Sequence, residues 1–264
     1  MCASGCRRRH RALMSESDIP GSGEAGADGA NMSLVEHLIE LRTRVLRALA
    51  GVLLVFLALS PFSNQLYTTL AMPMLNELGG GSMIATEVAA PFLVPFKLTL
   101  FVAVAVAAPW LFFQMWLFVA PGLYLHERRL VGPLIASSTG LFYLGMTFAY
   151  FLVFPLVFAF FTSVAPEGVT VMTDISRYLD FVMKIFLAFG LAFEVPIATF
   201  VAVRSGFISA SALAAKRPYI IVAAFVLGML LTPPDVVSQL LLAIPMWVLF
   251  EIGLILARVL PRGR

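Results

Sequence analysis

Charge is what this chain most lacks. Only 12% of its 264 residues are Asp, Glu, Lys or Arg, against about 25% in an ordinary soluble domain. Hydrophobic residues make up 60%, and the mean hydropathy is +0.94. That balance excludes a water-soluble globular protein. Histidine is nearly missing too, with three in the chain and none paired at ligand spacing. The two cysteines, Cys2 and Cys6, form a lone C-x3-C near the N-terminus. Such a pair has too few ligands for a metal site and builds no disulfide framework. Catalytic signatures are missing as well: "HERR" is not H-E-x-x-H, there is no G-x-S-x-G, and "GGGS" lacks the lysine of a phosphate loop. No enzyme, metal or cofactor is expected, and work must draw on binding or an ion gradient.

What the chain does have is apolar length. Six segments emerge, at about 45–62, 98–119, 130–161, 178–203, 219–232 and 240–257. Several reach the ~20 residues that cross a bilayer as a helix. Their continuity disfavours a β-barrel, whose strands alternate. The expectation is an all-α polytopic membrane protein. The third segment exceeds the ~30 Å hydrocarbon core and should tilt, bend near Pro155 or project. The fifth, about 14 residues before "TPPD", spans only ~21 Å. The fifth and sixth helices are expected to be short, with a locally thinned membrane. Residues 1–31 follow a different pattern. "RRRHR" resembles the start of a signal, but Ser, Gly, Glu and Asp follow it where an apolar stretch belongs. This tail is expected to be disordered, ahead of a membrane domain over 32–264, with Met14 and Met32 as alternative starts.

Charge sets the expected orientation. With six spans both termini share one side, which holds fifteen of the eighteen Lys and Arg residues. The other side holds only Lys97, Arg177 and Lys184. That asymmetry follows the positive-inside rule and places both termini in the cytoplasm. The net charge of +3 then belongs to basic cytoplasmic loops rather than to nucleic-acid binding. The long first outer loop is expected over about 63–97.

Four places carry candidate chemistry. "MSLVEHLIELRTRVLRAL", 32–49, spaces Leu34, Leu38, Leu41 and Val45 as an amphipathic helix entering the first span, with Glu40 and Arg44 one turn apart. "APGLYLHERRLVGP", 120–133, sets Glu127 among His126, Arg128 and Arg129. Glu127 either balances its basic neighbours or receives an incoming guanidinium, beside an apolar wall from Phe118, Leu123 and Tyr124. Glu194 lies inside the fourth span, where a carboxylate is costly and marks function by default; Pro196 is close enough to disturb that helix. "LLTPPDVVSQLLLAIP" sets Thr232, Asp235, Ser238 and Gln239 at the entry of the sixth helix, either to cap it or to meet a partner helix within the bilayer. Glu251, in the sixth segment, is expected to pair with a basic neighbour.

Taken in order, "HLIELRTRVLRAL", "MIATEVAAPF", "APGLYLHERRL", "FYLGMTFAYFLVFPL", "TDISRYLDFV", "FEVPIA", "KRPY" and "GMLLTPPDVVSQLLLAIPMWVLFEIG" resemble the TatC family, in its proteobacterial form. This is the multispan receptor subunit of the twin-arginine translocase. The resemblance covers Ser33 to about Leu256. It implies six helices forming a concave, glove-like wall in the bacterial inner membrane. It implies recognition of the twin-arginine signal peptides of folded cargo by Glu127 and Phe118, with Glu40, Leu41, Arg42, Arg44, His126 and Arg128 in the same site. It implies that Glu194 is the family's buried glutamate. Partner contact is implied at Asp235, Gln239, Thr232 and Pro73. The implied partners are single-span TatA- and TatB-type proteins and further copies of the receptor, with transport driven by the proton-motive force. The competing reading is a proton-coupled secondary transporter built on Glu194. That reading requires internal repeats with matching broken helices, and the sequence has none convincing.

Overall fold

A computed structural model describes residues 25–77, 84–119, 131–163, 174–231 and 236–259. Side chains at 25–34, 71–77, 161–162, 231 and 237–238 are outside that description. Helix is the dominant structure. The elements are α1 (Ala25–Leu59), α2 (Ser63–Glu77), α3 (Ala90–Val106), α4 (Ala108–Val119), α5 (Val131–Phe148), α6 (Phe154–Ser163), α7 (Ile175–Ala192), α8 (Val195–Arg204), α9 (Ala210–Ala215), α10 (Arg217–Leu231) and α11 (Val236–Val259). Contacts divide the chain into two units, Met1–Arg42 and Thr43–Arg264. In the first unit the described backbone is helical from Ala25, so residues 25–31 are helix although the tail was expected to be disordered to 31. All the packing below belongs to the second unit.

Every expected apolar segment has a helical counterpart. Four stretches are long and apolar enough to cross a membrane: Val35–Leu70, Val131–Phe160, Ile175–Arg204 and Gln239–Val259. The pair α3 and α4 makes a fifth if its two bent halves are one span, and α10 is a shorter apolar helix. The fold is an all-α polytopic membrane protein.

Proline explains most of the breaks. α3 and α4 meet at 53°, just before Pro109, which cannot donate to the preceding turn. The third segment contains a π-helical turn, Ala149–Val153, immediately ahead of Pro155, so the expected bend is a widened turn that accommodates the missing N–H. α7 ends at Ala192 and α8 starts at Val195, with Pro196 in its first turn. A proline is tolerated there because that N–H needs no intrahelical acceptor.

Two expectations need correction. The first outer loop is not a loop over 63–97: α2 and the first part of α3 occupy much of it. Leu66 and Leu70 recur one turn apart and pack against buried Val94 and Leu98, which gives α2 an apolar stripe to bury. The sixth helix is not short either. α11 has 24 residues, because it takes in Val236 to Gln239 before the apolar run and continues to Val259. Only the fifth helix, with 15 residues, is short.

In lipid, helices gain little from the hydrophobic effect and associate through close packing. The glycines show where. A Cβ at Gly253 of α11 would lie 2.6 Å from Pro196 Cα and 3.0 Å from Thr199 Cβ of α8, so only glycine permits this approach. The largest buried cluster joins α7 to the π turn, α6 and α11 through Phe189, Ile185, Val182, Val157 and Leu242. Outward-facing positions are apolar as well, among them Leu54, Phe151 and Leu230, as a lipid-facing surface requires.

Candidate functional site

α4 carries Phe118 and positions it through polar contacts with α1. Arg44 Nη1 makes a long contact of 3.5 Å to Gln114 Oε1. One turn earlier on α4, Trp110 Nε1 donates to the Arg47 carbonyl at 3.0 Å. A Cβ at Gly51 would stand 2.6 Å from the same indole nitrogen, so the two helices meet closely here. Gln114 is buried and lies four residues before Phe118, on the same side of the helix. Gln114 was not anticipated, although it is the one amide in "APWLFFQMWLFV". A polar side chain alone in such a run needs a partner when buried.

Glu40, Leu41 and Arg42 lie on α1 in the first unit, and Leu41 and Arg42 are exposed. Arg44 lies in the second unit and is half-buried. Glu127, His126 and Arg128 are outside the described residues, as are Thr232 and Asp235. Pro73 is in α2, with its side chain undescribed. Gln239 sits at the start of α11, and its Nε2 donates to the Phe225 carbonyl of α10 at 3.0 Å. Gly228 of α10 faces the Gln239 side chain, 3.2 Å from Cγ to the position of a Cβ. The Gln239 amide therefore joins the last two helices. Glu251 does pair with a basic neighbour: Arg217 Nε and Nη2 donate to its two carboxylate oxygens at 2.6 and 2.8 Å.

Glu194 occupies the break between α7 and α8 and does not cap α8 with its side chain. Its Oε1 is buried with no hydrogen-bond partner. Ser138 of α5 lies near the Glu194 carboxyl. Between α4, α5 and α8, Phe112, Trp116, Leu134, Phe142 and Ile197 form a buried apolar cluster.

The end of α7 opposite Glu194 has another carboxylate with very different surroundings. Asp174 caps α7, its Oδ1 accepting from the backbone N–H of Ser176 at 2.9 Å and Arg177 at 3.0 Å. Its Oδ2 accepts from the Thr86 hydroxyl at 2.6 Å and the Thr86 N–H at 3.0 Å. Ile175 N–H donates to the Ile84 carbonyl at 2.9 Å, completing a short parallel bridge. The Thr86 hydroxyl, then the backbone N–H donors, hold the Asp174 carboxyl down to about 2 despite its burial. One turn into α7, Asp180 pairs with Lys97 of α3. The cap is readable from "TDISR", an acid just before an apolar run. Its partner Thr86, 88 positions away, is not. Among the described residues no group of three or more His, Cys, Asp or Glu could hold a metal.

Residues 36–245 match the family model described as Sec-independent protein translocase protein (TatC). The chain belongs to the TatC family. It is 57% identical over 224 residues to the Sec-independent protein translocase protein TatC of Azotobacter chroococcum, covering 84% of this chain and 88% of the relative. The Escherichia coli K12 protein of the same name is 55% identical over 226 residues, covering 85% and 88%. A crystal structure of a twin-arginine translocase receptor, TatC, superposes with a TM-score of 0.77 at 36% identity, covering 84% of this chain and 98% of that one. The same receptor crystallised in DDM gives a TM-score of 0.78. The chain is thus a component of the Sec-independent protein translocase, with several helices able to span the membrane.

Proposed function

We propose that this chain is the receptor and assembly core of a bacterial twin-arginine translocase. In this reading it lies in the inner membrane with both termini cytoplasmic. It binds the twin-arginine signal peptides of folded cargo at the cytoplasmic face and gathers single-span TatA- and TatB-type subunits, together with further copies of itself. The proton-motive force then drives export. Glu127 takes the guanidinium groups of the signal in a bidentate pair, a geometry lysine cannot copy. His126, Arg128, Glu40, Leu41 and Arg42 also serve recognition of the signal. Asp235, Gln239, Thr232 and Pro73 serve partner contact, and the Gln239 amide also joins α11 to α10.

The observation that carries this reading is the anchoring of α4. Buried Gln114, in contact with Arg44, and Trp110, bonded to the Arg47 carbonyl, fix the helix that carries Phe118. An apolar wall placed on a fixed helix is what a receptor for a helical or extended segment needs. It also divides the basic residues of α1 by task. Arg44 positions α4 through Gln114, whereas exposed Arg42 is available to the incoming chain.

Site-specific crosslinking of an arginine-pair signal peptide against a lysine-pair control tests the reading. Glu127→Ala is expected to abolish the crosslink while the protein still inserts in the membrane. Wild-type crosslinking in that variant would remove Glu127 from the site.

A further inference from the structure

The 53° elbow between α3 and α4 leaves one backbone group to be satisfied. In a continuous helix the Ala105 carbonyl accepts from the N–H four residues on, at position 109. Pro109 has no N–H, and a proline ring crowds that same carbonyl. Ala105 is buried in an apolar helix, where no water replaces the missing donor. A different helix supplies it: Tyr143 Oη of α5 donates to the Ala105 carbonyl at 3.0 Å. On the other side of the elbow α5 makes a second bond. Trp116 Nε1 of α4 donates to Ser138 Oγ at 3.0 Å, and both residues are buried. Between these two bonds the Phe142 ring of α5 meets Phe112 of α4 edge-on, with centroids 5.6 Å apart. One bond alone would leave the proline as a hinge. A bond on either side of it fixes the angle between the two arms.

We infer that α5 is a splint across the α3–α4 elbow and that Tyr143 is a positioning residue for the signal site. Its hydroxyl makes the bond that Pro109 cannot, and so fixes the direction in which α4 carries Phe118. The Trp116–Ser138 bond holds the α4 arm of the same splint. Trp110 and Gln114 tie α4 to α1, but neither reaches the arm before Pro109; Tyr143 does. The consequence for signal binding rests on the receptor reading, whereas the splint itself does not.

The first test reads the elbow without cargo. In the full-length protein with Cys2 and Cys6 changed to serine, spin labels at exposed Phe92 of α3 and Met115 of α4 report the distance between the arms. Tyr143→Phe keeps the ring and removes only the hydroxyl. It is expected to broaden the distance distribution and move its centre by roughly 2–4 Å. Pro109→Ala returns an N–H to the helix, so Tyr143→Phe is expected to change the distance less in that background. An equal change in both backgrounds overturns the pairing of Tyr143 with the missing donor. Should Pro109→Ala fail to accumulate, Trp116→Phe takes its place and is expected to broaden the same distribution. Wild-type distributions in Tyr143→Phe and Trp116→Phe overturn the splint. The second test is crosslinking of the arginine-pair signal peptide, counted per inserted molecule. Loss of one neutral hydrogen bond in Tyr143→Phe is expected to lower it roughly two- to tenfold. Preference over the lysine-pair control is kept, because Glu127 is untouched. A changed elbow with wild-type crosslinking overturns the positioning role. Wild-type crosslinking in Glu127→Ala removes that assignment alone and leaves the splint standing.

Discussion

Asp174 and Glu194 stand at opposite ends of the same helix, α7, and their surroundings could hardly differ more. Asp174 accepts four hydrogen bonds, two from the first turn of its own helix and two from Thr86. Each of its carboxylate oxygens accepts two of these bonds, so it stays ionised and structural. Glu194 has a buried oxygen with no hydrogen-bond partner. A carboxyl left partly unsatisfied at membrane depth is costly, and a fold keeps such a group for what it does rather than for stability. Saturation therefore separates the two acids: the saturated one closes the fold, and the unsaturated one remains available for work.

The sharpest way to break this contrast is to fix a charge where the open carboxyl lies. Glu194→Lys sets a cation at the α7–α8 break within the membrane, at an insertion cost of about 2.5–3.5 kcal/mol. Export in cells is expected to fall roughly hundredfold or more. Glu194→Gln keeps a hydrogen-bonding group and is expected to retain most export. Equal loss in both variants would make Glu194 a titrating group instead of a bonded one.

A smaller effect is expected at the saturated acid, and of a different kind. Asp174→Ala strips the cap of α7 and two bonds from Thr86. The melting temperature in detergent should drop by roughly 2–4 °C, with Thr86→Val lowering it less because both N–H donors of the cap remain. Export at moderate temperature should change little. Export abolished at an unchanged melting temperature would reverse the assignment of roles.

The smallest effect is one of pH. The folded Asp174 carboxyl sits at about 2, below the value of about 3.9 expected in the unfolded chain. A depressed carboxyl stabilises the fold fully above the unfolded value and loses that contribution as pH falls through the folded one. The melting temperature should therefore decline between about pH 4 and pH 2. Asp174→Asn should lack that share of the decline, and identical curves for the two proteins would mean that other carboxylates carry it.

Much of this architecture was readable along the chain. The six apolar segments each became helix, because periodicity and length are local properties. The disturbance at Pro196 and the bend near Pro155 were readable for the same reason: proline acts within one turn of its own position. The helical character of α2 was missed because polar residues and a proline in "SNQLYTTLAMPMLNE" resemble a loop until Val94 and Leu98 offer a surface for Leu66 and Leu70. Candidate acids could be picked out one by one, but not ranked. The cap at Asp174 is readable from "TDISR", but nothing in the sequence tells that Asp174 meets Thr86 and Asp180 meets Lys97.

The sequence by itself determined the medium, the helices and the family. Too few charges and six long apolar runs leave a bilayer as the only solvent in which this chain can fold, and the ordered motifs place it with TatC. Only the tertiary structure decided which polar groups are satisfied and by whom. Trp116 and Ser138 lie on separate helices, as do Arg44 and Gln114. The meeting of Arg44 with Gln114 depends on helix packing at close-approach points such as Gly51. Hydrogen bonds act over about 3 Å, so a partner distant in sequence becomes visible only when the helices are in place.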